Sequence, residues 1–150
     1  MTDPYDLERF ISAQEAAGTY VSAVRELQSG RKWGHWMWFV FPQIAGLGQS
    51  PTSRRYAIAS AGEARAYLDH PVLGPRLLEC ARIVAGLTGV TAEELLGGID
   101  AVKLRSSMTL FHRVAPENPL FARVLDVYFD GRPDPATDRL LADLNERNGE

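Results

Sequence analysis

All three tryptophans of the 150-residue chain fall within residues 30–43, Gly30-Arg31-Lys32-Trp33-Gly34-His35-Trp36-Met37-Trp38-Phe39-Val40-Phe41-Pro42-Gln43. Two of the six phenylalanines and one of the three histidines share the run. An aromatic side chain buries roughly 150–250 Å², so a cluster this dense has to form the centre of a core or line a concave pocket. Trp36 and Trp38 are therefore expected to be largely buried. His35 and Gln43 become polar groups inside apolar surroundings, where each needs a hydrogen-bond partner. Two roles fit them: structural pin, or reader of a bound ligand.

With 45% hydrophobic and 23% charged residues, the chain has the material for one domain, residues 1–150, with a single core. A net charge of −3 gives no global basic field to hold nucleic acid or an anionic membrane, and neither is expected as a partner. The lone cysteine, Cys80, sits in Leu77-Leu78-Glu79-Cys80-Ala81 on an apolar helix face and reads as a small core residue rather than a nucleophile. His35, His70 and His112 form no pair at metal-ligand spacing, so no metal is expected. The opening Met1-Thr2-Asp3-Pro4-Tyr5-Asp6 is acidic and lacks an apolar signal region, and no 18-residue apolar run occurs. A soluble, cytoplasmic protein is the expectation.

Helical punctuation recurs along the chain. Asp6 opens an amphipathic stretch through Leu7, Phe10, Ile11 and Gln14; Gly18 interrupts it before Tyr20, Val21, Val24 and Leu27 resume the period and Gly30 ends it. Residues 33–41 are apolar at both helix and strand periods, and helical neighbours favour a short buried helix ended by Pro42. Residues 42–53, rich in Pro, Gly and Ser, read as a loop, and loops of that length often carry function. Ser60 and Thr91 begin capping-box patterns, and Asp100, Asn118 and Thr137 are further candidate caps. Strand alternation is nearly absent, and the one Asn-Gly pair, Asn148-Gly149, lies at the tail. The pattern predicts an all-α, single compact domain of about seven or eight short helices.

Two segments carry candidate chemistry. On a helix through residues 101–112, Ala101, Leu104, Met108 and Phe111 share one apolar stripe. Lys103 and Ser107 flank it on one side, and Arg105, Thr109 and His112 form a second polar row. Serine hydroxyls and cations donate to phosphate or carboxylate oxygens, so Lys103, Arg105, Ser106 and Ser107 are candidate anion ligands; a solvated helix face is the alternative. Lys103 and Arg105 lie about 200° apart on the wheel, so one should face the site while the other pairs with a carboxylate. In the second segment, Lys32, His35, Trp36 and Gln43 could stack and orient a nucleobase or nicotinamide-like ring, although plain core is the competing reading. Gly46-Leu47-Gly48 lacks both the ending of a P-loop and the third glycine of a dinucleotide fingerprint, and no cofactor is expected. No Gly-x-Ser-x-Gly elbow is present. Glu63, Glu79, Asp100 and Asp126 are possible general bases that nothing in the sequence places against a substrate.

Across nearly its whole length the chain resembles a bacterial domain-of-unknown-function family, number 1810, whose members are sometimes labelled calpastatin. The resemblance rests on Asp6-Leu7-Glu8-Arg9-Phe10, the run from Gly30-Arg31-Lys32 to Pro42-Gln43, Tyr56-Ala57-Ile58, His70-Pro71-Val72-Leu73-Gly74, and Lys103-Leu104-Arg105-Ser106-Ser107-Met108-Thr109-Leu110-Phe111. It implies a mainly helical single domain. The calpastatin label implies a protease inhibitor, but a compact aromatic-rich chain has none of the disordered, repeat-bearing character of eukaryotic calpastatin. More distantly the chain is similar to the helical NADAR (YbiA-like) proteins, associated with N-glycosidic cleavage of ADP-ribose- or riboflavin-pathway compounds. Their glutamate-histidine pair is matched here by Gly34-His35, so the acid is missing.

The expected function is binding of a small anionic or nucleotide-like ligand between the segment from Lys32 to Gln43 and the helix carrying Lys103, Arg105, Ser106 and Ser107. If the chain is an enzyme, N-glycosidic hydrolysis of an ADP-ribose-type compound is the reaction, with phosphates held by cations and hydroxyls, the base stacked on aromatics, and a carboxylate or His35 moving the proton. The competing class is a non-catalytic protein-interaction module.

Overall fold

In the computed structural model, which describes residues 3–148, ten α-helices and one 3-10 turn make up the regular structure. Met1, Thr2 and Gly149, which belong to the opening and tail patterns, lie outside the described residues. The helices are α1 (Glu8–Glu15), α2 (Thr19–Ser29), α3 (Met37–Val40), α4 (Pro51–Arg55), α5 (Ala61–Asp69), α6 (Leu73–Gly86), α7 (Ala92–Leu96), α8 (Gly98–Val114), α9 (Pro119–Phe129) and α10 (Pro135–Asn148). The only β pairing among the described residues is a single parallel bridge between Ile44 and Ile58. The all-α expectation holds. The count exceeds seven or eight, and the element not expected is α4, a five-residue piece that starts within the stretch read as loop and is too short to show a period. No helix among the described residues is long and apolar enough to cross a membrane.

The caps decide most boundaries. Ser60 accepts from the amide of Glu63 at 3.0 Å to start α5, Thr91 and Glu94 complete a reciprocal capping box on α7, and the Asn118 side chain accepts from Leu120 to start α9. Gly30 closes α2 at φ +82°, a left-handed conformation that glycine takes without a Cβ clash. Two expected caps, Thr137 and Asp100, are reassigned, and the helix opening read at Asp6 shifts. Asp3, rather than Asp6, accepts from the amides of Leu7 and Glu8 ahead of α1. Asp134, rather than Thr137, caps α10, accepting from the Thr137 amide and hydroxyl. Asp100 lies inside the first turn of α8, where its carboxylate takes lysine partners instead of backbone amides.

Helix α8 is the central element, packed by α5, α7, α9, α10 and α3. Its stripe of Ala101, Leu104, Met108 and Phe111 is buried as expected, but so are Ser106, Ser107 and Thr109. The solvated-face alternative therefore does not describe those three hydroxyls: α10 covers one flank, and α3 and α5 lie on others. The core continues through Phe10, Trp36, Phe41, Tyr67 and Phe121, with Tyr67 and Phe10 edge to face at 5.1 Å between ring centroids. Cys80 is buried in it, and burial pushes its thiol up to about 12, which fits an inert core residue.

Candidate functional site

The aromatic run divides in the structure. Residues 31–36 are irregular, with a bend at Gly34 and His35, rather than helical, and α3 covers only Met37–Val40. Glu26, projecting from α2, organises the irregular part: one carboxylate oxygen accepts from the amide of Trp33 at 2.6 Å, the amide of Gly34 at 2.8 Å and the indole N–H of Trp36 at 3.0 Å. Burial alone would raise the Glu26 carboxyl, but those three donors, with Lys32 nearby, hold it below its ordinary value. Trp36 is consequently buried at 1% exposure, whereas Trp33, one turn of chain earlier, is 68% exposed with the Arg31 guanidinium over its ring at 4.3 Å. Trp33 departs from the expectation that the cluster as a whole lies in the core.

A second carboxylate ties this segment to α8. Asp100 bridges the ammonium groups of Lys32 and Lys103, at 2.8 and 3.0 Å. Burial would raise its carboxyl as well, and the two lysines hold it low. Both ammonium groups also lie over indoles, Lys32 at 5.2 Å from the Trp36 ring centre and Lys103 at 4.1 Å from that of Trp38. Lys32 further donates to the Gly34 carbonyl. The charges here are matched within the fold, so this cluster is mainly a joint between α2, the irregular segment that follows it and α8.

Past α3 the picture changes. Phe41 is held at ψ 76°, outside the helical region as the residue before a proline must be. The chain then closes a long excursion with a clasp: the Ala45 amide donates to the Ile58 carbonyl and the Ile58 amide to the Gln43 carbonyl, both at 2.8 Å. Residues 42–53 are thus not wholly loop, since α4 forms within them on a Ser50 cap with Pro51 at its first position. Between clasp and α4 lies a cleft of about 130 Å³ lined by Trp38, Gln43, Gly46, Ser53, Arg54 and Tyr56, among others. Gly48 lets the chain pass close to α4 here, since a Cβ there would sit 2.4 Å from the Ser53 hydroxyl.

One residue of the cleft lining, Trp38, carries a polar atom with no protein partner among the described residues. The indole N–H of Trp38 is buried and bonded to nothing among the described residues, and on α8, four residues beyond Lys103, the buried Ser107 hydroxyl is likewise unpartnered. Arg54 makes one hydrogen bond, to Gln49 at 3.2 Å, and meets no carboxylate among the described residues. A buried donor left unmet costs about 1–3 kcal/mol, so such groups call for an explanation. A wider depression of about 500 Å³ between α5, α6 and the connection from α8 to α9 offers less. Its Arg65 already donates to the Val114 carbonyl and its Asn118 already caps α9.

The eight residues expected at one site are distributed over five places. Lys32, Trp36 and Lys103 meet at Asp100, Gln43 lines the Trp38 cleft, and Ser107 is buried on the Lys103 flank of α8. Arg105 and Ser106 face α10 instead: Arg105 donates to the carbonyls of Arg132 and Pro133, both at 2.9 Å, and Ser106 to Val102 and Asp134. Of the two cations, Lys103 is thus the one that pairs with a carboxylate, Asp100, while Arg105 is held by carbonyls and does not line the cleft. His35 is exposed, not enclosed by apolar groups, because it sits in the bend before α3 rather than within a helix. Sequence reasoning missed Glu26, Ser53, Arg54 and Tyr56 as members of these clusters. Tyr56 was the most accessible of them, since it opens a motif that carries the family resemblance.

The match to a family model described as "Protein of unknown function (DUF1810)" extends over residues 4–141. The chain belongs to DUF1810. This DUF1810 chain is also similar to a solved structure, the conserved hypothetical protein Rv1873 from Mycobacterium tuberculosis, at 53% identity and a TM-score of 0.90. The similarity covers 93% of the DUF1810 chain and 99% of Rv1873. No curated protein matches the chain.

Proposed function

We propose that the protein binds a small anionic or nucleotide-like ligand at the Trp38 cleft, with Trp38 and Tyr56 as apolar walls, Gln43 reading polar edges and Arg54 meeting the negative charge. The observation that carries the reading is that Trp38, which lines that cleft, carries a buried indole N–H with no acceptor among the described residues, a group that calls for an explanation. Size limits the ligand. At about 130 Å³ the cleft falls below the roughly 300–1,000 Å³ of a site that engulfs a drug-sized molecule. One ring or one anionic group enters, and the rest of a nucleotide lies outside it against Arg54.

Chemistry favours binding over hydrolysis. N-glycosidic cleavage needs a group to move a proton, and among the described residues the cleft lining contains no carboxylate and no histidine. Glu63 is paired with Arg9, Asp100 with two lysines, and Glu79 accepts from Tyr20. The test is a melting-temperature series with inorganic phosphate and adenosine monophosphate, since a ligand that binds only the folded state adds about 2.7 kcal/mol at one hundred times Kd. A rise with either, reduced in Arg54→Ala and Gln43→Ala, supports the reading. If neither compound moves the melting temperature at millimolar concentration, the interaction-module reading replaces it. That reading draws on the exposed Trp33, Ile99 and Val102, at 68%, 78% and 62%, apolar residues near the Lys32 and Asp100 joint.

A further inference from the structure

The wall of the cleft that carries Tyr56 runs from the end of α4 into a short extended stretch, residues 57–59, and backbone meets only one edge of that stretch. On that edge Ile58 bonds to Gln43 and Ala45. On the other side the Ala57 carbonyl and the Ala59 amide, which flank Ile58, have no backbone partner, and neither does the carbonyl of Arg55, which ends α4. No strand lies beside them among the described residues. Their partners are two side chains: Arg9 Nε donates to the Arg55 carbonyl at 2.7 Å, Arg9 Nη2 to the Ala57 carbonyl at 2.9 Å, and Glu63 Oε1 accepts from the Ala59 amide at 3.0 Å. Arg9 and Glu63 are themselves joined at 2.8 Å, with side chains only 11% and 4% exposed.

From this geometry we propose that Arg9 and Glu63 act together as a substitute strand that sets the position of Tyr56 and Ala57, and so the shape of the cleft. Arg9 is a positioning residue, not a ligand for the bound molecule. Its remaining two N–H groups donate to the carbonyls of Tyr5 and Asp6 at 2.6 and 2.8 Å, so all five guanidinium donors are engaged within the protein. Its place at the start of α1 also explains why two motifs far apart in sequence, Asp6-Leu7-Glu8-Arg9-Phe10 and Tyr56-Ala57-Ile58, belong to one device. Lysine cannot replace it, because a single ammonium cannot span both carbonyls and the carboxylate in the planar fork that guanidinium provides.

The inference rests on the ligand reading only for its effect on binding, and one experiment separates the two. Arg9→Lys, which keeps the charge beside Glu63, is compared with the parent and with Arg113→Lys, which disturbs the Arg113 and Asp138 pair on the surface. Amide exchange followed by NMR reports the wall without any ligand. Exchange at Ala45, Ile58 and Ala59 should quicken at least about tenfold in Arg9→Lys while amides of α8 keep their protection, and Arg113→Lys should leave the three unchanged. Adenosine monophosphate, if the parent binds it, should bind Arg9→Lys about tenfold more weakly at an unchanged cleft charge. Should Arg9→Lys fail to fold, Glu63→Gln provides the same exchange readout at Ala59. Uniform loss of protection across α8 and the wall alike, or exchange at the three amides equal to the parent's, overturns the proposal. Failure of the parent to bind the nucleotide counts against the ligand reading alone.

Discussion

The two ends of the aromatic run have similar composition and opposite fates. At Trp36 the indole N–H and the nearby charge are answered inside the protein: Glu26 receives the indole and two backbone amides, and Asp100 neutralises Lys32. At Trp38, two residues later, the indole N–H is buried without a partner and the neighbouring arginine meets no carboxylate. Dense aromatics with charges around them are therefore not in themselves a site. What separates a joint from a site is whether the fold has already supplied partners to the polar groups, and only the second end has polar capacity left for something else.

The largest expected effect tests the joint. Trp36→Ala should destabilise the protein by about 3–5 kcal/mol in urea denaturation, the usual cost of truncating a buried tryptophan. Trp33→Ala, in the same run but 68% exposed, should change stability by no more than about 0.5 kcal/mol. Similar losses for both would mean that the run is a uniform core and that the comparison is false.

A smaller effect, on the order of 1–2 kcal/mol, is expected when the joint loses its carboxylates, and it carries a pH signature. The carboxyls of Glu26 and Asp100 are held below their ordinary values of 4.5 and 3.8 by the donors around them. A depressed folded-state pKa stabilises the native state at pH values above the unfolded pKa, and that contribution disappears as pH falls through the folded one. Stability should accordingly drop below about pH 4, and Glu26→Gln combined with Asp100→Asn should flatten that drop while lowering stability at pH 7. An unchanged acid limb in the double variant would show that the two carboxylates are not what the joint depends on.

How far these features could be read in advance depends on the sequence distance of each contact. Caps that act within three residues, such as Ser60 on Glu63 and Thr91 with Glu94, were legible because donor and acceptor lie in one turn. The apolar stripe of α8 was legible from its period. The burial of Ser106 and Thr109 was not, because it depends on Asp134 and on the residues that lead into α10, more than 24 positions away. Glu26 lies only seven to ten residues before its partners, yet the turn that brings it back has no periodic signature. Of the site, the segment around Gln43 was legible as a polar residue among aromatics; Ser53, Arg54 and Tyr56 were not, since the Ile44 and Ile58 bridge that folds them back has only one residue on each side.

The smallest effects on stability should accompany the largest effects on binding, and this is where the comparison can be sharpened most. Arg54 is exposed and holds only Gln49, so Arg54→Ala should move the unfolding midpoint by no more than about 0.5 kcal/mol. Trp38→Phe keeps an aromatic ring beneath Lys103 and removes the unpartnered N–H, so no hydrogen bond within the protein is lost. Stability should be nearly unchanged, and removal of a buried orphan donor offsets part of the lost ring area. In calorimetric titration with adenosine monophosphate each variant should bind about tenfold more weakly, the effect of one charge-assisted contact or one hydrogen bond. A residue of the joint behaves in the reverse way, costing stability with no separate effect on affinity. If Trp38→Phe instead destabilises the fold as much as Trp36→Ala does, the indole N–H serves the core, and the two ends of the run differ only in exposure.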